Sequence, residues 1–426
     1  MKSADAIAAR ERLAITGWIP ARSEAFRHLP PPPAPIWLGD DPELAAPGAD
    51  ALPVDGAGWT LHPLGISAPG QVDAIWLDAG DATEREALFA GQPLPGDGDG
   101  EAAPFAWAHR AICRDGLRLR IGTASPGRDP SAPVWLHVRH RPRSAVEAPL
   151  LSIELLPGAH CVLVEAHTRT AMDGPDSTAG GPPIVQNLQT HIRLGEGATL
   201  RHLRIVAPAA GDRIAHRLQV GIGRRANYHQ ALVASGSRYH LQRHRVELQG
   251  EEAACHMAGV LVAAGSVIEQ QALVSHEAPR TSSDVETLAL AGGKALAVVN
   301  ARTRIAPGCD DASVRQRLSG VPTGGQPRLV LRPHLEIHHD KVQAVHGATW
   351  GALPEDALFY ARQRGLEERS ARGLIVEGMA NAMLEHCLGE PTLLEALHDD
   401  GTLRIDAFVS RVAPSPPGAA DGSGHD

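Results

Sequence analysis

Three regimes of hydrophobic and polar spacing divide the chain. Between Leu150 and about Gly347, short runs of Val, Ile, Leu and Thr alternate with polar residues, as in Leu218, Val220 and Ile222 or in Val246 and Leu248. No apolar period of helix length occurs there. A period of two turns one face of an extended segment inward, so this stretch is predicted to be strands. Upstream the pattern is irregular. Met1–Thr16 reads as a helix with Ile7, Leu13 and Ile15 as its apolar residues, stopped by Gly17 and Pro20. Pro30–Pro33 is a stiff polyproline stretch and 91–100 a glycine-rich loop, while Ala106–Thr123 and Pro133–Arg141 hold strand-like runs. Downstream the period becomes helical. Pro354, Glu355 and Asp356 suit a first turn, and Gly365 ends that helix. Ser370–Cys387 then places Ala371, Leu374, Ile375, Met379, Ala382 and Met383 on one face, and Leu393, Leu394 and Leu397 extend a shorter third segment.

Within the strand-rich stretch a unit recurs. A glycine followed three positions later by a small residue appears at Gly195/Ala198, Gly223/Ala226, Gly250/Ala253 and Gly292/Ala295, with Gly158/Cys161 as a variant, and strand-like runs lie on both sides. Strand, glycine turn, strand, repeated, predicts a β-solenoid in preference to an ordinary antiparallel sandwich. The expected organisation is an N-terminal mixed helical region over 1–145, a solenoid core over 146–350, a helical region over 351–412 and a disordered polar tail over 413–426.

Composition narrows the function. The chain has 426 residues, 43% hydrophobic and 21% charged, with a net charge of -9 and the signs interspersed. No basic stripe marks a nucleic-acid surface and no apolar run approaches the ~20 residues of a membrane span. The first residues lack the apolar core of a secretory signal, so a cytoplasmic protein is expected. Cys113, Cys161, Cys255, Cys309 and Cys387 are widely scattered, which excludes a zinc ribbon and a self-contained ferredoxin-type cluster and argues against a disulfide framework. The one Gly-Lys pair, Gly293-Lys294, is followed by Ala295, so the chain carries no phosphate-binding P-loop.

Gly221-Ile222-Gly223-Arg224-Arg225-Ala226 matches a dinucleotide fingerprint, but strands follow where that site needs a helix. On Pro333–Ile337 the alternation puts His334, Glu336 and His338 together; a metal set of that kind competes with a solvated strand face, the commoner pattern. The next run aligns Val342, Ala344 and His346, with Gly347 expected to turn the chain after the imidazole.

The stretch Leu335–Gly365 resembles the C-terminal signature of the SufB/SufD proteins of iron–sulfur cluster assembly. The resemblance is carried by Leu335-Glu336-Ile337, by Asp340 and Val342, by His346-Gly347-Ala348-Thr349, and by Phe359-Tyr360 with Arg364-Gly365. Upstream, His276, Pro279, Thr281 and Ser283 are similar to a second family stretch. The run from Gly17 and Trp18 through Pro20, Arg22, Glu24 and Phe26 to His28 resembles the opening on the SufD side of the family. The resemblance implies a mainly β protein, a right-handed parallel β-helix flanked by helical N- and C-terminal regions. It implies a non-catalytic scaffold that pairs with a SufB-like subunit and docks a SufC-like ABC-type ATPase on the C-terminal helices, where Arg362 and Glu367 would face the partner. The isolated chain would hold no stable cofactor, an iron–sulfur cluster passing transiently through the complex, and a homodimer of the isolated chain stays open. The family's interface histidine maps to His346, as interface residue and metal ligand; its cysteine maps to Ala344, so thiolates would come from the partner. The alternative from another class is a β-helix enzyme acting on polysaccharide.

Overall fold

The computed structural model describes residues 3–40, 58–63, 71–78, 80–96, 98–123, 132–169, 182–351 and 353–389. The third helical segment expected around Leu393 and the tail over 413–426 lie outside these. Helices α1 (Ala4–Thr16), α2 (Ala34–Leu38), α3 (Ala82–Phe89) and α4 (Ala103–Ile112) precede the core, and α5 (Glu355–Gln363) and α6 (Glu368–Leu388) follow it. The strands are β1 (Trp59–Pro63), β2 (Val72–Asp78), β3 (Asp115–Ile121), β4 (Val134–His140), β5 (Val146–Glu147), β6 (Leu150–Leu155), β7 (His160–Thr168), β8 (Val185–Leu194), β9 (Thr199–Ala207) and β10 (Arg213–Ile222). They continue with β11 (Asn227–Ser235), β12 (Tyr239–Leu248), β13 (Ala254–Ala264), β14 (Val267–His276), β15 (Ser282–Gly293), β16 (Leu296–Ile305), β17 (Ala312–Gly325), β18 (Arg328–Ile337) and β19 (Val342–Trp350).

From β6 onward successive strands alternate between two sheets. The first runs β1-β4-β7-β9-β11-β13-β15-β17-β19 and the second β18-β16-β14-β12-β10-β8-β6-β3-β2, with β5 beside β8. Each coil gives one strand to each sheet, making a β-solenoid of about seven turns. Every pairing is parallel except β1 on β4 and β2 on β3, which close the N-terminal end antiparallel. The inward faces form one continuous apolar core from Trp59 to Leu318.

The corner that leads from the second sheet into the first explains the repeat. The amides of Ala198, Ala226 and Ala253 donate to the carbonyls of Gly195, Gly223 and Gly250 at 3.1–3.2 Å. Two residues before β7, β9, β11, β13 and β15, and one before β17, the backbone turns left-handed, at Gly158, Gly197, Arg225, Glu252, Arg280 and Asp311. The amide of each of those residues reaches a carbonyl of the next coil, as in Gly197 to Arg224 at 2.9 Å. Stacking is so close that a Cβ on Gly250 would lie 2.1 Å from the Arg224 amide nitrogen, so only glycine fits. Two members of the sequence repeat belong elsewhere. At Gly158 the turn is Leu156 to Ala159, with Cys161 inside β7, and Gly292/Ala295 forms the opposite corner, between β15 and β16. Cys309 to Ala312 is a further copy, hidden because cysteine stands for glycine.

Ala106–Ile112 is helix, not strand. Pro104 opens α4, whose Phe105, Ala108 and Ala111 are buried, and strand alternation begins only at Asp115. Leu13, Phe26, Trp37 and Phe105 then cover the outer face of the second sheet at Val185, Ala215 and Leu241. At the other end α6 lies on the first sheet, Val376, Ala380, Met383, Leu384 and Cys387 packing on Leu203, Ala231, Ala258 and Val260. The expected stripe is therefore rotated: Ala371 and Met383 are buried, but Leu374 is 58% exposed and Met379 and Ala382 also face out. Burial of Val376 and Leu384 draws the seam one position round the helix.

Candidate functional site

Among the described residues the solenoid is capped at its N-terminal end and open at the other. Among the described residues, β18 and β19 each pair with one neighbour, leaving a strand edge free on each sheet. A free edge is a template for another chain. Within β19, His346 continues an inward column that runs Leu163, His202, Gln230, Met257, Val285 and Gln316 through the coils below. Ala344 continues the column of Cys161, Tyr228, Cys255 and Val314 in the same way. His346 is inward by register yet exposed, because no described coil covers it. Val342 and Ala344 are half-buried on the Ile305, Cys309 and Val314 cluster. The apolar side chains of Val345 (66% exposed) and Trp350 (70%) stand beside this end. The expected turn at Gly347 is absent: β19 continues to Trp350, and Gly347 pairs with Arg317 in mid-strand.

His334, Glu336 and His338 do not converge into a ligand set. Glu336 is taken by Arg302, with His334 Nε2 3.9 Å away, and His338 lies beyond β18, its amide bonded to Ile305. A solvated face is what the structure shows.

A polar cluster that the sequence reading passed over lies inside the solenoid. Glu165 and His167 of β7, His202 and Arg204 of β9, His216 of β10 and His244 of β12 are all buried. Glu165 Oε1 accepts from His167 Nε2 at 2.6 Å; Oε2 lies 2.9 Å from His202 Nε2 and 3.4 Å from Arg204 Nε. Arg204 also donates to His216 Nδ1 at 2.6 Å and His244 Nε2 at 3.0 Å. Burial opposes ionisation of Glu165, but the Arg204 charge and the hydrogen bonds from His167 and His202 hold its carboxyl well below the usual range. Burial, and after it the Arg204 charge, drives the pKa values of His216 and His244 well down. Glu165, His167 and His216 bring donor atoms as close as a metal needs. The site nevertheless fits no divalent ion, since Arg204 already neutralises the one carboxylate and occupies a ring nitrogen of His216. The signal was in the parity: His202 and Arg204 fall on the same face as Leu200, where apolar residues belong.

The thiols are equally closed off. All five cysteines are buried and free. Burial pushes Cys113 and Cys387 up to about 12 and raises Cys161, Cys255 and Cys309 as well, away from the thiolate form that iron and sulfide chemistry requires. An iron–sulfur cargo would therefore meet an exposed imidazole at the open end and no accessible thiolate among the described residues. His276, singled out by its motif, is buried and bridges Thr281 Oγ1 (2.8 Å) and Ser283 Oγ (2.9 Å), bracing a corner.

On the C-terminal helices, Arg362 and Glu367 are exposed. Leu358 is half-buried, whereas Phe359 is 66% exposed. With Tyr360, Leu366, Leu374 and Met379 it forms an outward apolar surface on the hairpin. Arg364 lies over the Tyr360 ring at 4.7 Å. No helix among the described residues is long and apolar enough to cross a membrane.

Comparison with known proteins points to one family. Residues 139–379 match the family described as SUF system FeS cluster assembly, SufBD core domain. An iron–sulfur cluster assembly SufBD family protein of Synechocystis is 24% identical over 206 residues, 48% of this chain and 45% of the relative. The iron–sulfur cluster assembly protein SufD of Escherichia coli is 28% identical over 127 residues, 30% of this chain and 27% of the relative. SufD of Plasmodium falciparum is 27% identical over 179 residues, 41% of this chain and 12% of the relative. Each match thus spans less than half the length of the curated relative.

Proposed function

This chain belongs to the SufBD family of iron–sulfur cluster assembly proteins, and from that premise we propose that it is a SufD-like, non-catalytic scaffold subunit. In this reading the open end of the solenoid pairs with a SufB-like subunit. The outward face of α5 and α6, with Arg362 and Glu367 at its rim, docks a SufC-like ATPase. His346 faces the subunit junction, where a cluster forms transiently on thiolates supplied by the partner. The scaffold works in the cytoplasm, with functional divisions near residues 145, 350 and 412.

The observation that carries the reading is the contrast between the two ends. Antiparallel strands cap the N-terminal end, while among the described residues the C-terminal end leaves β18 and β19 open beneath exposed Val345 and Trp350. Solenoids need a polar cap for solubility, so an uncapped, apolar-flanked end asks for a partner. Co-expression with SufB-like and SufC-like subunits tests it. A stable three-component complex, lost when Val345 and Trp350 are changed to charged residues, is the expected result. Recovery of the full complex with the charged variant would sink the proposal.

A further inference from the structure

On the outer face of the first sheet, beneath the end of α6, stands a row of polar side chains that the assembly reading does not use. His229, His256 and Asp284 are direct register neighbours on β11, β13 and β15. His386, in the last turn of α6, lies over them with its ring centroid 5.2 Å from that of His256. The His229 and His256 rings are 6.1 Å apart, and His256 Nε2 is 3.9 Å from Asp284 Oδ2. His229 donates its Nδ1 proton to the Cys387 carbonyl at 2.9 Å, so its Nε2 carries the lone pair. His256 Nε2 and Asp284 Oδ1 are both buried with no hydrogen-bond partner. Native structures rarely leave such atoms orphaned, and a cavity of about 350 Å³ lined by His229, His256, Asp284 and Arg315 opens beside them.

We propose that His256, Asp284 and His386, with His229 as a fourth donor, bind a divalent first-row cation of the iron-to-zinc range that clips α6 to the solenoid. Imidazoles and one carboxylate form the donor set such ions select. The 3.9 Å between His256 Nε2 and Asp284 Oδ2 lies within the span of two ligands each about 2.0–2.1 Å from one ion. His386 is exposed and completes the set by a change of rotamer. Burial lowers the pKa of His229 to about 4 and lowers that of His256, so both are neutral, the ligating form, near pH 7. Arg315 and Arg317, each 3.8 Å from Asp284 Oδ2, oppose a cation. Arg317 has a closer partner in Glu286 at 2.9 Å, and Asp284 Oδ1 stays available.

Titration of the full chain with Co²⁺ and Zn²⁺ tests the site. Expected are one saturable site at micromolar metal, visible Co²⁺ bands typical of four-coordinate nitrogen–oxygen ligation, and a higher melting temperature with metal. His256→Ala and His386→Gln should each weaken binding by ~10-fold or more and remove the metal-induced melting shift, while His62→Gln, an exposed histidine on β1, leaves both unchanged. Because His256→Ala can also loosen packing, His386→Gln is the deciding variant, and its melting in EDTA must match the parent. No saturable site, or binding that both substitutions leave intact, overturns the proposal and assigns the orphaned atoms to water.

Discussion

His346 stands directly above Gln316, paired with it across β17 and β19, but Gln316 is buried and bonds Thr303 Oγ1 at 2.8 Å, whereas His346 has solvent over it. The same register position is thus core in one coil and surface in the next. What separates them is the absence of a further described coil, which a docked solenoid would supply.

His346→Ala is therefore expected to leave the isolated chain intact, within about 0.5 kcal/mol in chemical denaturation, as for surface changes away from special contacts. In the reconstituted complex the same change should abolish or strongly reduce cluster assembly. His346→Cys should retain assembly if ligation is the point. A stability loss of several kcal/mol for His346→Ala alone would show a structural histidine and remove it from the site.

The two faces of α6 separate folding from docking. Leu384→Ala deletes a fully buried side chain on the solenoid and should cost about 2–4 kcal/mol. Phe359→Ser and Leu374→Ser change exposed side chains and should leave the melting temperature nearly unchanged while weakening ATPase capture. Pull-down against the ATPase beside a thermal melt reads both effects. Full-strength capture by the Phe359→Ser, Leu374→Ser double variant would remove the hairpin from the interface.

His276 tests how a family motif is to be understood. Its two hydroxyl partners and full burial make it a corner brace. His276→Ala should destabilise the chain by about 1–3 kcal/mol, because buried Ser283 loses its partner and Thr281 keeps only the Ala278 carbonyl. Urea denaturation measures it; a variant as stable as the parent but inactive in assembly would reverse the assignment and make His276 functional.

The solenoid was legible in the sequence because its corners demand a local rule. Where coils touch through backbone, as at Gly223 and Gly250, side chains are excluded and the period shows. At Leu156 and Cys309 the same corner tolerates larger residues, and the repeat blurs. α4 differs from the strand its pattern predicts because Ala106–Ile112 is apolar enough to pass for one, and only its packing on α1 and the second sheet decides between them. His346 was reached through its motif, while the Glu165 cluster was not, since its members come from four strands that only the coil register brings together. Leu374 and Met379 show the converse: helical spacing fixes that a stripe exists, but the seam is set by which residues meet the sheet.

The interior histidines make a prediction about acid. Burial lowers the pKa of His109 to about 3 and of His240 and His276 to about 4, and it also lowers His140, His202, His216 and His244. In the unfolded chain these groups titrate near 6.5. Between 6.5 and the folded values the unfolded state binds more protons, so stability falls as pH falls. The contribution is whole above about pH 6.5, and by pH 5 each of His109, His240 and His276 withdraws about 2 kcal/mol. Five carboxyls act the other way, burial also raising Asp115, Asp212 and Glu277. Burial raises Glu147 and Glu269 to about 7, so the folded state gains protons, and stability, as pH drops from 7 toward 4.3. The imidazoles outnumber them, and the net expectation is a loss that begins just below pH 6.5 and steepens toward pH 5. Denaturation midpoints at pH 7.5, 6.0 and 5.0 measure it. His240→Gln, placed where Gln242 and the Ser235 carbonyl already hold the ring, should flatten the slope. Midpoints that stay level or rise down to pH 5 would mean that the interior imidazoles take up protons in the folded state, and that the core is wet.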